Sequence, residues 1–246
     1  MNDKPLRVGV DRDARLSLDP RTTALMLIDL QYHDAARGRG FNLAMERARP
    51  GSMDYLYQRL ETEVIPQSQS LLELARSKGM HIVHVTYGSD EPDLSDMPAT
   101  LRSRILSLEE RSGLKGIFAT DSPDFAILPE VAPRPNEEVV RKTTFGAFSS
   151  PGLGERLSSV GVTHVVLAGV TTSCCVESTA RGAFDTGFGV VVVDSACGDY
   201  TASAHANSLE SLAMNLGWVV RDVSELNAAF DPTADHEIPT RKMGSE

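Results

Sequence analysis

Cysteine is scarce in this chain: there are three in 246 residues, and two of them, Cys174 and Cys175, are neighbours. Such a set cannot build a disulfide framework, so the small cross-linked secreted folds are excluded and a reducing, cytoplasmic setting is expected. Aromatic residues are few at 6%, with a single tryptophan. No apolar run approaches the ~18 residues of a membrane span. Basic residues fall short of acidic ones, 24 against 34, for a net charge of −10. That balance argues against a nucleic-acid or anionic-membrane partner and leaves a small molecule as the expected one. The opening "MNDKPLRVGVDRDARLS" is charged throughout, unlike a secretory leader. The sequence also lacks an internal repeat, a C-x-x-C pair, a GxGxxG turn and a phosphate-binding loop.

What is present is an alternation of short apolar runs with longer amphipathic ones. "TALMLIDL" (23–30), "HIVHVTY" (81–87), "EEVVRKT" (137–143), "THVVLAGV" (163–170), "GVVVVDSA" (189–196) and "GWVVRDV" (217–223) read as six strands. Most are too continuously hydrophobic for burial on one side, which predicts a mainly parallel sheet covered on both faces. Helical segments fall between them at 54–79, 151–161 and 203–217. Pro66 predicts a kink or an early turn in the first of these. A further helix starts near Cys175, with Val176, Thr179, Ala180, Ala183 and Phe184 placed on its inward face and Gly187 as its stop. Strand alternating with helix means a doubly wound, three-layer α/β/α domain. It is expected over 21–231, after an N-terminal extension at 1–20 and before a C-terminal tail at 232–246. Residues 88–136 are less regular and are expected to form an insertion over one end of the sheet.

In such a sheet, ligands bind beyond the carboxyl ends of the strands, near the reversal of strand order. Three polar features fall at such ends: Asp29 after the first strand, Lys142 in "VVRKTTFGAF", and the cysteine pair after "VVLAGVTTS". Each alone has an ordinary explanation as a loop cap, a solvated lysine or a small buried side chain. An acid, a base and a thiol at three corresponding places have none in packing. A thiol at a helix N-terminus gains from the dipole, and an ammonium nearby would further favour its thiolate. A metal site is not expected, since adjacent cysteines make a poor knuckle and no histidine pair lies close. His81 and His84 are separated by an odd number along a strand, face opposite ways, and read as structural. His33, His164 and His205 remain open as partners of the thiol. A redox pair at Cys174 and Cys175 is the alternative from a different class, that of a non-catalytic sensor or binding protein; vicinal disulfides are strained.

Three motifs, "ALMLIDLQ", "VVRKTTFGAFSSPGL" and "LAGVTTSCCVESTARGAFDTGFGVVVVDSACGDY", resemble the isochorismatase-like cysteine hydrolases. The resemblance covers roughly residues 20 to 230. Nicotinamidases, N-carbamoylsarcosine amidases and the ureidoacrylate, biuret and triuret hydrolases belong to that group. It implies that Cys175, directly before the valine of G-x-x-T-x-x-C-V-x-x-T-A, is the nucleophile. Asp29 would be the acid/base and Lys142 the third member. It further implies a cis peptide at Val170–Thr171 and an oxyanion hole formed by the Thr171 and Cys175 amides.

The resemblance also orders the substrates. The stretch "LQYHDAARGRGFNLAMERARPGSMDYL" lacks the metal-binding D-x-H set of nicotinamidases, and no cofactor is implied. Isochorismatases proper cleave a vinyl ether without needing the cysteine, so a complete Asp–Lys–Cys set favours C–N hydrolysis. "EPDLSDMPATLRSR" and "MNLGWVVRDVSEL" are similar to segments of biuret and ureidoacrylate hydrolases. Phe41, Tyr87, Phe148 and Asn215 are the expected substrate contacts, with Arg37 and Arg39 as candidates for a carboxylate. Cys174 is expected to be a pocket or packing residue. A homo-oligomer, dimer or tetramer, is implied.

Overall fold

A computed structural model of the chain describes residues 16–231; the expected 232–246 tail and most of the 1–20 extension lie outside that range. Six parallel strands form one sheet in the order β3-β2-β1-β4-β5-β6. They are β1 (Thr23–Ile28), β2 (His81–Tyr87), β3 (Glu138–Lys142), β4 (His164–Val170), β5 (Gly189–Gly198) and β6 (Trp218–Val220). Every residue of β1 is buried, as a central strand packed on both faces requires. Its alternate side chains feed two different cores. Leu25 and Leu27 join one with Val166, Ala168 and Val191, whereas Ala24, Met26 and Ile28 join the other with Val165, Leu167 and Val192.

The helices are α1 (Tyr32–Ala35), α2 (Gly40–Ala48), α3 (Asp54–Arg59), α4 (Ile65–Lys78), α5 (Ala99–Ser112), α6 (Leu153–Ser159), α7 (Glu177–Asp185), α8 (Ala202–Asn215) and α9 (Val223–Ala228). Leu56 of α3, Leu71, Leu72 and Ala75 of α4, and Leu226 of α9 cover the first face. Leu153 and Leu157 of α6, Ala180 and Ala183 of α7, and Leu209 and Leu212 of α8 cover the second. The three layers follow. Among the described residues, no helix is long and apolar enough to cross a membrane.

Three local features have physical causes. Pro66 stands in the first turn of α4, and the irregular turn expected around it falls just before it. The chain widens into a π turn at Leu60–Val64 between α3 and α4, and this relaxes the turn whose N–H the proline lacks. Phe184 is 43% exposed, so the inward row of α7 ends at Ala183. Nine positions after Cys175 it has rotated about 180° away. The insertion at 88–136 contains the 14-residue helix α5, which Gly113 stops in a left-handed conformation (φ 71°). The spacing of Leu101, Ile105 and Leu108 carried that signal; Ile105 and Leu108 pack with Tyr87, Met97 and Phe118 in a third, smaller core. Asp96 of the insertion takes Ser89 and Arg141, which fastens the segment over the carboxyl end of β3.

Candidate active site

Strand order reverses between β1 and β4, and the polar groups of interest gather beyond the carboxyl ends of these strands. Asp29 follows β1 directly with φ 53°, a left-handed conformation that aspartate tolerates better than most residues. Its N–H bonds the Val85 carbonyl at 3.0 Å, which fixes the turn, and its side chain is fully buried. Gly169 of β4 makes this proximity feasible. A Cβ there would stand 2.0 Å from the Ile28 carbonyl oxygen.

The Val170–Thr171 peptide is cis, and the chain then enters a π turn, Thr172–Val176, that leads into α7. The Thr171 carbonyl accepts the N–H groups of Cys174 and Val176 and passes over the Cys175 amide between them. Cys175 is buried inside this turn. Lys142, the last residue of β3, is also fully buried. Its Nζ donates to Asp29 Oδ2 at 2.8 Å and to Cys175 Sγ at 3.4 Å, and it lies 4.2 Å from the centre of the Tyr87 ring. The structure thus brings together Asp29, Lys142 and Cys175. None of His33, His164 or His205 bonds the thiol: His33 holds the Tyr87 carbonyl, His164 the Thr163 hydroxyl, and His205 the Thr172 hydroxyl.

Charge states depart from the sequence expectation of a stabilised thiolate. Burial first, and then the Asp29 charge, push the Cys175 thiol well above its ordinary range, and the Lys142 ammonium only partly offsets them. Burial likewise raises Asp29 against the pull of Lys142. Burial alone would lower Lys142, but Asp29 and the Cys175 sulfur together raise it. Burial thus favours the protonated thiol, while Lys142 Nζ stays paired with Asp29 Oδ2 beside it. Burial also raises Cys174, and it pushes Cys197 up to about 12. All three cysteines are free thiols.

A second layer of polar contacts, not found from the sequence, holds the nucleophile turn. β5 bulges between its pairings with Leu167 and Gly169, and Arg59 caps the carbonyls of Asp194 and Cys197 there. Asp194 Oδ1 receives Arg59 at 2.8 Å and His205 Nε2 at 2.9 Å, while His205 Nδ1 meets Thr172 Oγ1 at 2.8 Å. Asp199, fully buried, accepts the Ser173 N–H at 2.6 Å. The signal in the sequence was the pair of aspartates in "VDSACGD", five positions apart at the end of β5.

The other expected contacts divide. Tyr87 lies under Lys142, and Phe41 stands 6.2 Å from Tyr200 and 5.6 Å from Phe118 in the aromatic wall nearby. Phe148 is not brought to the thiol. Its ring packs 5.5 Å from Phe188, at the start of β5 and so at the opposite end of the sheet. Asn215 ends α8 beside the amino ends of the strands and bonds the Ser211 carbonyl of its own helix, so within this chain it is remote from Cys175. A helix returning antiparallel to its strand carries its last turn away from the site. Arg37 and Arg39 already have carboxylate partners, Glu61 at 2.8 Å and Asp124 at 2.6 Å. His81 and His84 pair with Glu138 and Glu137 beside β3. Among the described residues no cluster of three or more His, Cys, Asp or Glu could hold a metal ion.

Comparison with known proteins points the same way. The model of the isochorismatase domain matches residues 23–224. An isochorismatase family protein from Desulfovibrio vulgaris is 25% identical, with a TM-score of 0.68 over 84% of this chain and 97% of that one. A cysteine hydrolase from Pseudomonas syringae pv. phaseolicola shares the fold at 20% identity, with a TM-score of 0.71 over 93% and 100% of the two chains. So does a pyrazinamidase of Pyrococcus horikoshii, solved with zinc, at 19% identity and a TM-score of 0.58 over 81% and 99%.

Proposed function

The chain belongs to the isochorismatase family, and on that premise we propose that it is a cysteine-dependent amidohydrolase cleaving a C–N bond of a small amide or ureide. One observation carries this reading. Lys142 Nζ bridges Asp29 Oδ2 and Cys175 Sγ in a site closed to bulk water. A buried ion pair beside a thiol is costly as structure, but it suits a proton that must move on demand.

As substrate enters, Asp29 takes the proton from Cys175 Sγ while sulfur attacks the carbonyl carbon. Lys142 stays charged and steadies both the departing thiol proton's acceptor and the sulfur. The carbonyl oxygen becomes an oxyanion against the Thr171 and Cys175 amides. The Thr171 carbonyl takes the N–H groups of Cys174 and Val176 but not that of Cys175, which supports the Cys175 donor. Protonated Asp29 then gives its proton to the leaving nitrogen, the C–N bond breaks, and ammonia departs from a thioester or thiocarbamate. A water deprotonated by Asp29 attacks that carbon, and the C–S bond breaks. Sulfur regains the proton from Asp29. From a ureide the product is a carbamate, which loses carbon dioxide, or a shortened ureido acid.

Biuret-, triuret- and ureidoacrylate-type substrates are the proposed class, on the sequence segments after β2 and around β6. The pyrazinamidase with this fold keeps a ring-bearing amide as the second reading. A homo-oligomer acting on this small molecule in the cytoplasm completes the proposal. The test is ammonia release from biuret, triuret, ureidoacrylate, nicotinamide and N-carbamoyl amino acids. Wild type and Cys174→Ser should turn over at least one of them, and Cys175→Ser none. Full activity in Cys175→Ser would sink the nucleophile assignment. Silence of the wild type on every substrate would favour a non-catalytic role.

A further inference from the structure

Asp194 and His205 take no part in the chemistry proposed above, yet they are tied to the turn that carries the thiol. The tie begins at the bulge in β5. Between the pairs Leu167–Val192 and Gly169–Cys197, β4 has only Ala168 where β5 has Val193, Asp194, Ser195 and Ala196. Asp194 Oδ1 meets both outer layers of the fold there. Arg59 of α3 reaches it from one face at 2.8 Å, and His205 Nε2 of α8 from the other at 2.9 Å. Arg59 also donates to the Asp194 and Cys197 carbonyls, at 2.9 and 2.8 Å, which pins the bulge itself. The second ring nitrogen, Nδ1, meets Thr172 Oγ1 at 2.8 Å, and that hydroxyl donates to the Gly198 carbonyl at 3.0 Å. One turn further along α8, the Ser208 hydroxyl faces the Thr172 carbonyl at 3.2 Å. The hydroxyl and the carbonyl of Thr172 are thus held by the same helix.

We propose that His205, oriented by Asp194, is a positioning residue for the oxyanion turn. Through Thr172 it fixes the peptide plane whose Thr171 carbonyl gathers the Cys174 and Val176 N–H groups and leaves out that of Cys175. The proposal rests on the amidohydrolase reading and adds to it a group that sets turnover without touching substrate.

Geometry and cost both support it. Thr172 follows Thr171 directly and opens the π turn, so its Cα is one end of that peptide plane. Threonine is stiff at χ1, and with its hydroxyl and carbonyl both engaged from α8 the plane has little room to rotate. Thr172 and His205 are buried, on the face where Leu209 and Leu212 of α8 build the second core. A buried imidazole facing a carboxylate needs partners on both sides, and an apolar side chain of similar volume would fill the place at lower cost. Nor is the histidine needed to anchor the turn's backbone, because Asp199 already accepts the Ser173 N–H at 2.6 Å. What it adds is placement. An oxyanion donor works only within about 2.7–3.1 Å of the developing charge, and a misplacement of about 1 Å costs about 10²-fold in rate.

The experiment compares Thr172→Val, which removes the hydroxyl, Thr172→Ser, which keeps it, His205→Gln, and Thr172→Val combined with His205→Gln. On a substrate that the wild type turns over in the ammonia screen, Thr172→Val and His205→Gln should each lower kcat by about 10- to 100-fold, with KM held within about 3-fold. Thr172→Ser should stay within about 3-fold of wild type. The double variant should be no slower than the slower single, because the two side chains act as one unit. Amide hydrogen exchange, read on the same proteins without substrate, should speed by about 10-fold or more at Thr172–Val176 and stay unchanged in β1 and β2. That local signature does not depend on the reaction. A wild type silent in the ammonia screen would therefore overturn the amidohydrolase reading, while exchange still decides whether His205 holds the turn. Unchanged exchange at the turn, or faster exchange spread evenly over the sheet, would overturn the positioning role. So would losses that multiply in the double variant, or a loss carried by KM.

Discussion

Lys142 Nζ stands 2.8 Å from Asp29 Oδ2, and neither side chain has any exposure to solvent. The two residues are 113 positions apart, on strands separated by β2. Since the same ammonium also reaches the Cys175 sulfur, one contact orders the base, the thiol and the charge balance of the site.

Lys142→Met should remove that balance while keeping the volume. Without the ammonium, Asp29 loses the influence that lowers it and is driven further up by burial. In wild type the rate should rise with pH through an acid limb above the ordinary aspartate range, then hold a plateau, because Lys142 and Cys175 are both raised. In the variant the acid limb should move to higher pH and the maximum should fall by about 10²–10⁴. A pH–rate profile of kcat/KM checks both; an unmoved acid limb would show that Asp29 is not the base.

Asp29→Asn keeps a residue type that accepts the left-handed backbone at this position. Turnover should fall by about 10²–10⁴. The fold should lose about 3–5 kcal/mol, because a buried lysine is left without its counter-charge. Adding Lys142→Met should recover much of the stability and none of the activity. Urea melts alongside ammonia assays separate the two effects.

Gly169→Ala should be among the most damaging small changes in the chain. The added methyl meets the Ile28 carbonyl oxygen at 2.0 Å, from a backbone with φ 121°. Neither β1 nor β4 can move away without breaking the pairing of Ile28 with Gly169 that precedes Asp29. A loss of about 4 kcal/mol or more in urea denaturation is expected, with activity falling in parallel.

Glu137 should govern acid stability at the opposite end of the sheet. Although burial opposes ionisation, Arg76, the Arg134 N–H and His84 together hold its carboxyl down at about 2. A depressed carboxylate contributes its stability above the ordinary value of 4.5 and loses it as pH falls from there through about 2. Glu137→Gln should therefore cost about 2–3 kcal/mol at pH 7 and little at pH 2, measured by thermal or urea unfolding. Equal losses at both pH values would contradict the assignment.

The sequence by itself determined the layers and the order of elements. Continuous apolar runs such as "TALMLI" and "HVVLAGV" require burial on both faces, and that requirement is local to each strand. It also marked Asp29, Lys142 and the cysteine pair, because strand ends in such a sheet point to one rim, and the resemblance of the motif around the pair singled out Cys175. The tertiary structure decided what these residues are. Lys142 looks solvated in "VVRKTTF" and becomes fully buried only when β3 docks beside β2 and its ammonium turns in between Asp29, Cys175 and the Tyr87 ring. The thiol is pushed toward its protonated form, since desolvation depends on everything packed around it and outweighs the ammonium beside it. Asn215 and Phe148 looked equal to Tyr87 as contacts, but the return direction of α8 and the packing against Phe188 send them away from the thiol.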